Sequence, residues 1–344
     1  MINFEISTRI ITQQDLVESG CFDMGAAINI CEDAFLRYAH GDMLVPDKVC
    51  AIFDEKAQSR INCLPAADLS KHIYGMKWVS VFPDNPRKYQ RPNITAVILL
   101  SELKSGYPIA FMEGAMCSNM RTAAIGAVAA RYLARKNAEV ISFIGAGEQA
   151  KSHFLSIMDV LPQIKSCRVA SRSSESEEIF IRQMKRFYPA VEFIPCKGNY
   201  RASAVSADII VTAISGQEKI LQPDWIKEGA FYCHVAGLED DFGVAEKADK
   251  IVCDNWSVVK HRSQTISQMY KSGLLLDSDI YADLHEIVAK QKPGRQNEAE
   301  FIYFNSVGMS FVDISLALWM YEKVVAAGKG KLVSMRDRSM FDLL

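Results

Sequence analysis

The stretch Glu139-Val-Ile-Ser-Phe-Ile-Gly145-Ala146-Gly147-Glu148-Gln149-Ala150 constrains this chain more than any other. An apolar run leads into Gly-x-Gly-x-x-Ala, and a helical pattern follows over 147–160. In that setting the first glycine permits a tight turn and the second lets the backbone approach a pyrophosphate, while a small third residue keeps helix and strand close. The start of the helix offers free N–H groups and the positive end of its dipole to an anion. The bland alternative is a doubly wound domain whose glycines only make a turn. The strand–turn–helix order favours a dinucleotide site built on Gly145, Ala146, Gly147, Glu148 and Gln149.

Beyond this turn, strands are expected at 167–171, 191–195, 208–213, 230–235 and 250–254, with a helix at 175–187. Continuous apolar strands alternating with helices imply a parallel sheet covered on both faces. The first third has another pattern. A helix over 24–40, opened by Asp23, precedes strand-like runs at 49–53, 60–64, 73–82, 94–100 and 107–112, as in a mostly antiparallel sheet. An Ala-rich helix over 121–135 leads into the alternating region, and a long helix over 309–327 ends at Gly328. A helix so distant in sequence can return to pack on the first sheet. The expected fold class is α/β: a Rossmann-type doubly wound parallel sheet, residues 129–305, inserted into a discontinuous α+β domain of residues 1–128 and 306–344.

Composition narrows the classes of function. Of 344 residues, 49% are hydrophobic and 23% charged, enough for a sizeable core and unlike a disordered chain. A net charge of -2 lacks the basicity of a nucleic-acid binder and any general attraction to anionic membranes. No apolar stretch approaches the roughly 20 residues that cross a bilayer, and the polar start gives no reason to expect a secretory leader. Nine cysteines, none in a Cys-x-x-Cys pair, read as small buried apolar residues in a reducing cytoplasm. Neither a disulfide framework nor a metal site is expected.

The end of the second strand bears on which dinucleotide is bound. NAD calls for a carboxylate there to hold the ribose 2′-OH, and NADP for arginine and small hydroxyls around the 2′-phosphate. The sequence reads Arg168-Val-Ala-Ser171-Arg172-Ser173-Ser174, with no acid before Glu175. Arg172 between Ser171 and Ser173 favours NADP(H). NAD(H) stays open, because loop geometry can redirect this contact and Arg172 could equally be a solvated surface side chain.

Two further cations stand in unusual settings. Lys77 lies inside the apolar run 73–82, and Arg121 opens the Ala-rich helix. A charge in an apolar strand is costly unless it is paired, so the residues alone leave a structural ion pair and a ligand site equally open.

Met76-Lys77-Trp78, Phe82-Pro-Asp-Asn85, Tyr107-Pro-Ile-Ala-Phe-Met-Glu-Gly114, Arg121-Thr-Ala-Ala124, Phe143-Ile-Gly-Ala-Gly-Glu-Gln149 and Asn305-Ser306-Val307-Gly308-Met309 stand in order along the chain. Together they resemble the ornithine cyclodeaminase/μ-crystallin family over nearly the whole length. The resemblance implies a split domain that binds substrate and dimerises, a Rossmann domain, and hydride exchange between a nicotinamide and an amino-acid Cα. It implies that Arg121 holds the substrate α-carboxylate, and that Lys77 lies beside that carboxylate or the amine or imine nitrogen. Burial there would depress the Lys77 pKa and allow proton donation. Thr122 would face the cofactor phosphates, and Ser306, Val307 and Gly308 would lie near the nicotinamide. Thr212 and Ala213, at the end of the strand expected over 208–213, join the cofactor set. Ser171, Arg172 and Ser173 match the Asn-Arg-Thr trio of the NADPH-using μ-crystallins.

The chain also departs from the family. The second arginine that often binds the carboxylate has Lys48 as its nearest candidate here. Ornithine cyclodeaminases carry an aspartate after a Gly-Gly pair, whereas this chain reads His234-Val-Ala-Gly237-Leu-Glu239-Asp240-Asp241. Glu239 falls at that place, a shift of one substitutes Asp240, and the acids equally read as a solvated loop. The expectation is a cytoplasmic homodimer with a small amino-acid or imine substrate and no nucleic-acid or membrane partner. Its activity would be that of an NADP(H)-dependent ketimine reductase or amino-acid dehydrogenase. The alternatives are cyclodeamination with loss of ammonia, and a dinucleotide-binding accessory subunit without turnover.

Overall fold

A computed structural model describes residues 5–343. The chain divides into two compact units: the residues up to Arg121 together with those from Ser310 onward, and Thr122–Met309. The sequence pattern puts the crossings at 128/129 and 305/306. The crossings in the structure are at 121/122, earlier in the same unbroken helix Ala115–Leu133 that holds 128/129, and at 309/310.

In the first unit the strands lie side by side in the order Lys331–Arg336, Ile6–Ile11, Pro108–Glu113, Ile94–Glu102, Ile73–Val81, Ser59–Asp68 and Met43–Leu44, and Val49–Asp54 also pairs with Ser59–Asp68. The pairs are antiparallel except Ile6–Ile11 with Pro108–Glu113, which is parallel. The strands Ile6–Ile11 and Lys331–Arg336 are additions to the expected set. Along Ile73–Val81 the period of two puts Ile73, Gly75, Lys77 and Val79 on the buried face and Tyr74 and Trp78 on the exposed one. The helices Met24–Ala39 and Ser310–Ala326 belong to this unit. The first is capped by the Asp23 carboxylate, which accepts from the Ala26 N–H. Phe311 of the second helix meets Phe35 edge-on at 5.2 Å and stacks on Tyr38 at 4.7 Å.

The second unit holds eight parallel strands in the order Glu192–Pro195, Ser166–Ala170, Val140–Ile144, Ile209–Thr212, Phe231–His234, Ile302–Asn305, Lys250–Cys253 and Ile280–Asp283. This is the Rossmann-type doubly wound sheet. Ile302–Asn305 and Ile280–Asp283 are strands the pattern did not signal. Four residues each is too short for periodicity, and the first inserts out of order between Phe231–His234 and Lys250–Cys253.

All nine cysteines are free thiols. Six are buried as expected, but Cys50 is exposed and Cys63 and Cys196 are partly so. Cys50 lies on Val49–Asp54, a hairpin strand whose residues are all exposed. Among the described residues no helix is long and apolar enough to cross a membrane. No group of three or more His, Cys, Asp or Glu side chains among them could hold a metal ion.

Packing of the long helix on the first sheet depends on Gly75, where an added Cβ would lie 2.6 Å from Ile314 Cδ1 and 2.9 Å from Leu100 Cδ2. Gly75→Ala is expected to cost about 1–3 kcal/mol by overpacking, measured as a lower midpoint of denaturant unfolding.

Candidate functional site

Residues scattered over 160 positions of sequence meet at one edge of the parallel sheet. Ala170, Ile144, Thr212, His234, Asn305 and Cys253 form its last row in register. One residue further along each strand come Ser171, Gly145, Ala213, Val235, Ser306 and Asp254. This is the carboxyl edge, where doubly wound sheets bind ligands, and the strand order reverses between Val140–Ile144 and Ile209–Thr212. Gly145, Ala213, Ser171 and Ser306, read from sequence as cofactor residues, therefore share that edge.

The turn at the reversal fits a pyrophosphate. Gly145 adopts φ +109°, and a Cβ there would lie 2.4 Å from the Ala213 carbonyl oxygen, so no other residue fits without displacement. Gly147 is the N-cap of the 13-residue helix Glu148–Val160 and has no side chain with which to cap it. Nothing lies within 4 Å of where its Cβ would be. The first N–H groups of the helix are thus presented over an open glycine surface, next to the buried Ala146 and the partly exposed Gln149.

After the second strand, the Ser171 hydroxyl donates to the Ser173 carbonyl at 2.8 Å, and the Ser173 hydroxyl caps the next helix by accepting from the Ser176 N–H. Arg172 is exposed between them. The nearby acid is Glu177, which sequence reasoning missed. It is fully buried, and its carboxylate accepts from the backbone N–H groups of Ser171 at 2.8 Å, Lys197 at 2.7 Å and Gly198 at 2.9 Å. With its oxygens committed to the loop, Glu177 is not presented to a ribose.

Glu239 and Asp240, after Phe231–His234, are buried and do not form a solvated loop. Glu239 has no exposure, and its carboxylate accepts from Ile214 N–H at 2.7 Å, Thr212 Oγ1 at 2.8 Å and Ala236 N–H at 3.0 Å. It joins the loops that leave two neighbouring strands. Asp240, also buried, accepts from Thr265 Oγ1 at 2.6 Å and lies 3.4 Å from His234 Nε2. Burial pushes its carboxyl up to about 6, with His234 and the Thr265 hydrogen bond acting in the opposite direction. Asp241 caps the helix Phe242–Glu246 by accepting from the Gly243 N–H. Ser306, Val307 and Gly308 surround the buried Asp254: the Ser306 hydroxyl and the N–H groups of Val307 and Gly308 all donate to its carboxylate.

The first unit contains the other part of the reading. Lys77 has no exposure, and its Nζ donates to Asp313 Oδ1 at 2.5 Å and to Ser118 Oγ at 3.1 Å. Arg121, 8% exposed, donates through Nε to the same Asp313 oxygen at 2.8 Å. The fork nitrogens of the guanidinium are left for other partners. Two cations on one carboxylate leave the cluster with one net positive charge, the complement of a single incoming carboxylate. Burial lowers the Lys77 pKa to about 8, Arg121 adds to the depression, and Asp313 opposes it. Asp313 was missed from sequence, although a lone charge inside the apolar run 309–321 was a visible signal. The Glu113 carboxylate caps the helix that carries Arg121, accepting from the Ala115 and Met116 N–H groups. That cap starts the helix six residues ahead of the expected 121. Thr122 follows Arg121 on the same helix and is partly exposed. Lys48 lies in the loop before Val49–Asp54 and is partly exposed.

Comparison with known proteins agrees with both units. An N-((2S)-2-amino-2-carboxyethyl)-L-glutamate dehydrogenase of Staphylococcus aureus is 27% identical over 94% of this chain and 98% of its own. The structure of Thermococcus litoralis Delta(1)-pyrroline-2-carboxylate reductase in complex with NADH and L-proline superposes with a TM-score of 0.90 at 30% identity, covering 95% of this chain and 100% of its own. An archaeal alanine dehydrogenase dimer with bound NAD gives a TM-score of 0.87 at 28% identity, over 96% of this chain and 100% of its own. The family model for ornithine cyclodeaminase and mu-crystallin matches residues 7–328, a span that takes in the glycine turn as well as Lys77, Arg121 and Asp313. The chain belongs to the ornithine cyclodeaminase/μ-crystallin family.

Proposed function

We propose that this chain uses NADP(H) to reduce the C=N bond of a small imine bearing a carboxylate, or to run the reverse oxidation of the amino acid, and that it does so as a homodimer. The coarser statement stands without the proposal: it is a nicotinamide-dinucleotide-dependent oxidoreductase of amino-acid or imine C–N bonds. The observation that carries the finer reading is the convergence of Lys77 and Arg121 on Asp313. When bound, the dinucleotide supplies or accepts the hydride.

The chain's own residues do the rest. Arg121 holds the substrate carboxylate through the part of its fork that Asp313 does not use. Lys77, with a pKa near 8, is charged at neutral pH yet gives up its proton readily, which suits a donor to the substrate nitrogen during reduction. Placement and electrostatics supply the acceleration. Arg172, exposed where Glu177 is tied to backbone, favours a 2′-phosphate over a bare ribose hydroxyl. The committed oxygens of Glu239 favour reduction over cyclodeamination, which needs an acid free to bind a second amine and would have to use Asp240. The intact charged cluster argues for turnover over an accessory role. The homodimer is supported by the outer face of the first sheet, where Trp78, Leu99 and Phe111 are exposed together.

A panel of cyclic imines, and of 2-oxo acids with amines, followed at the NADPH absorbance, tests the activity. Tight dinucleotide binding with no turnover on any of them would leave the accessory reading. Arg121→Ala is expected to raise KM for a carboxylate substrate by about ten- to hundredfold, the worth of a charge-assisted hydrogen-bond pair, with dinucleotide affinity little changed. Unchanged kinetics would remove Arg121 from the site. Because the reductive step needs Lys77 protonated, its kcat/KM should fall as pH rises through about 8. Asp313 is the group that holds that pKa up, so Asp313→Asn should move the alkaline limb to lower pH. Arg172→Ala should cut the preference for NADPH over NADH by about tenfold while sparing NADH, as for loss of a charged phosphate contact.

A further inference from the structure

Three strands that are neighbours in space end in one row at Thr212, His234 and Asn305. Gln264, 4% exposed, ties together the loops that leave the second and third of them. Its Nε2 donates to the Ala236 carbonyl at 2.7 Å and to the Ser306 carbonyl at 3.0 Å, and its Oε1 accepts from Asn305 Nδ2 at 2.8 Å. All of its side-chain polar atoms are thus spent on the rim.

Asp254, 1% exposed, continues the pattern from the end of Lys250–Cys253. One oxygen accepts from Ser306 Oγ at 3.0 Å, Val307 N–H at 2.8 Å and Gly308 N–H at 2.6 Å, and the other from Asn255 N–H at 2.9 Å. Three consecutive residues are wound around a single carboxylate oxygen, with Gly308 at φ +80° to complete the turn. A buried carboxylate held only by N–H and hydroxyl donors is a costly way to fix a loop unless the loop's position matters.

The strand order defines that position. A dinucleotide laid across the reversal point has its pyrophosphate at Gly145–Gly147 and its adenosine toward Ser166–Ala170. Its other half must then extend along the ends of Ile209–Thr212, Phe231–His234 and Ile302–Asn305, the rim that Gln264 and Asp254 hold. We infer that Asp254 and Gln264 are positioning residues for the nicotinamide half of the cofactor, acting through the loop Ser306–Gly308. Their loss weakens the hold on that half and spares the adenosine half. The inference rests on the dinucleotide reading of the glycine turn.

Isothermal titration calorimetry on the full chain tests it, with the reduced dinucleotide that the wild type binds more tightly. The matching fragment without nicotinamide, adenosine 2′,5′-bisphosphate for NADPH or ADP for NADH, is titrated in parallel. Asp254→Asn and Gln264→Met are expected to raise the dinucleotide Kd by about tenfold or more, as for loss of charge-assisted or paired hydrogen bonds, with the fragment Kd within about twofold. Should Asp254→Asn fail to fold, Ser306→Ala removes one of the donors and keeps both backbone bonds, with about a threefold rise expected on the same scale. Equal losses for dinucleotide and fragment would make these residues general supports of the unit and overturn the proposal. Unchanged dinucleotide affinity would overturn it too. A wild type that binds neither ligand would instead overturn the dinucleotide reading itself.

Discussion

A carboxylate sealed from water, gripped on one oxygen by an ammonium and a guanidinium, is the constraint from which the first unit is built. Asp313, Lys77 and Arg121 come from the last long helix, from the inward face of a central strand and from the helix Ala115–Leu133. None of the three could be buried alone, because an isolated charge in an apolar interior is far too costly. Removing one partner from such a cluster costs about 3–5 kcal/mol, so the sheet and the returning helix are fastened together at this point. The same arrangement leaves a surplus positive charge already desolvated and oriented, which is the state a site needs before a carboxylate arrives. Structural fastening and ligand binding are here one set of atoms, which is why the sequence alone left them as equal alternatives.

The second unit solves a different problem. Each strand of the parallel sheet ends at the same edge, and each loop leaving that edge has unpaired backbone groups to satisfy. Buried carboxylates and an amide do so: Glu177, Glu239, Asp254 and Gln264 accept from or donate to the loop backbone. The hydrogen bonds that hold these three acids come from loop N–H groups and hydroxyls, in the place a cation would otherwise take.

Much of this architecture was legible in the amino-acid order, for reasons that can be named. Period-two alternation from Ile73 to Val79 places Lys77 inward, and the apolar strand before Gly145 fixes the orientation of the turn. The features that could not be read depend on pairing between strands distant in sequence. Ile302–Asn305 slips between two consecutive strands, and only that insertion brings Ser306 beside Asp254, 52 residues away. Gln264 and Glu177 look like ordinary polar residues until the strand order is known. Glu239 was singled out by its position in the family pattern, but its three backbone and hydroxyl donors could not be read from sequence. Asp313 was within reach, since it is the only charge in the apolar run 309–321 and a buried charge demands a partner.

The pairing of Lys331–Arg336 with Ile6–Ile11 carries a consequence for how this chain matures. The first sheet cannot be completed until the last part of the polypeptide has been made, because its outer strand and the helix bearing Asp313 both come from there. The dinucleotide unit, by contrast, is one uninterrupted stretch rich in local strand–helix–strand neighbours. That unit has all its strands in hand before the helix bearing Asp313 is made. Lys77 therefore lacks its counter-ion until Asp313, 236 residues further along, has been added.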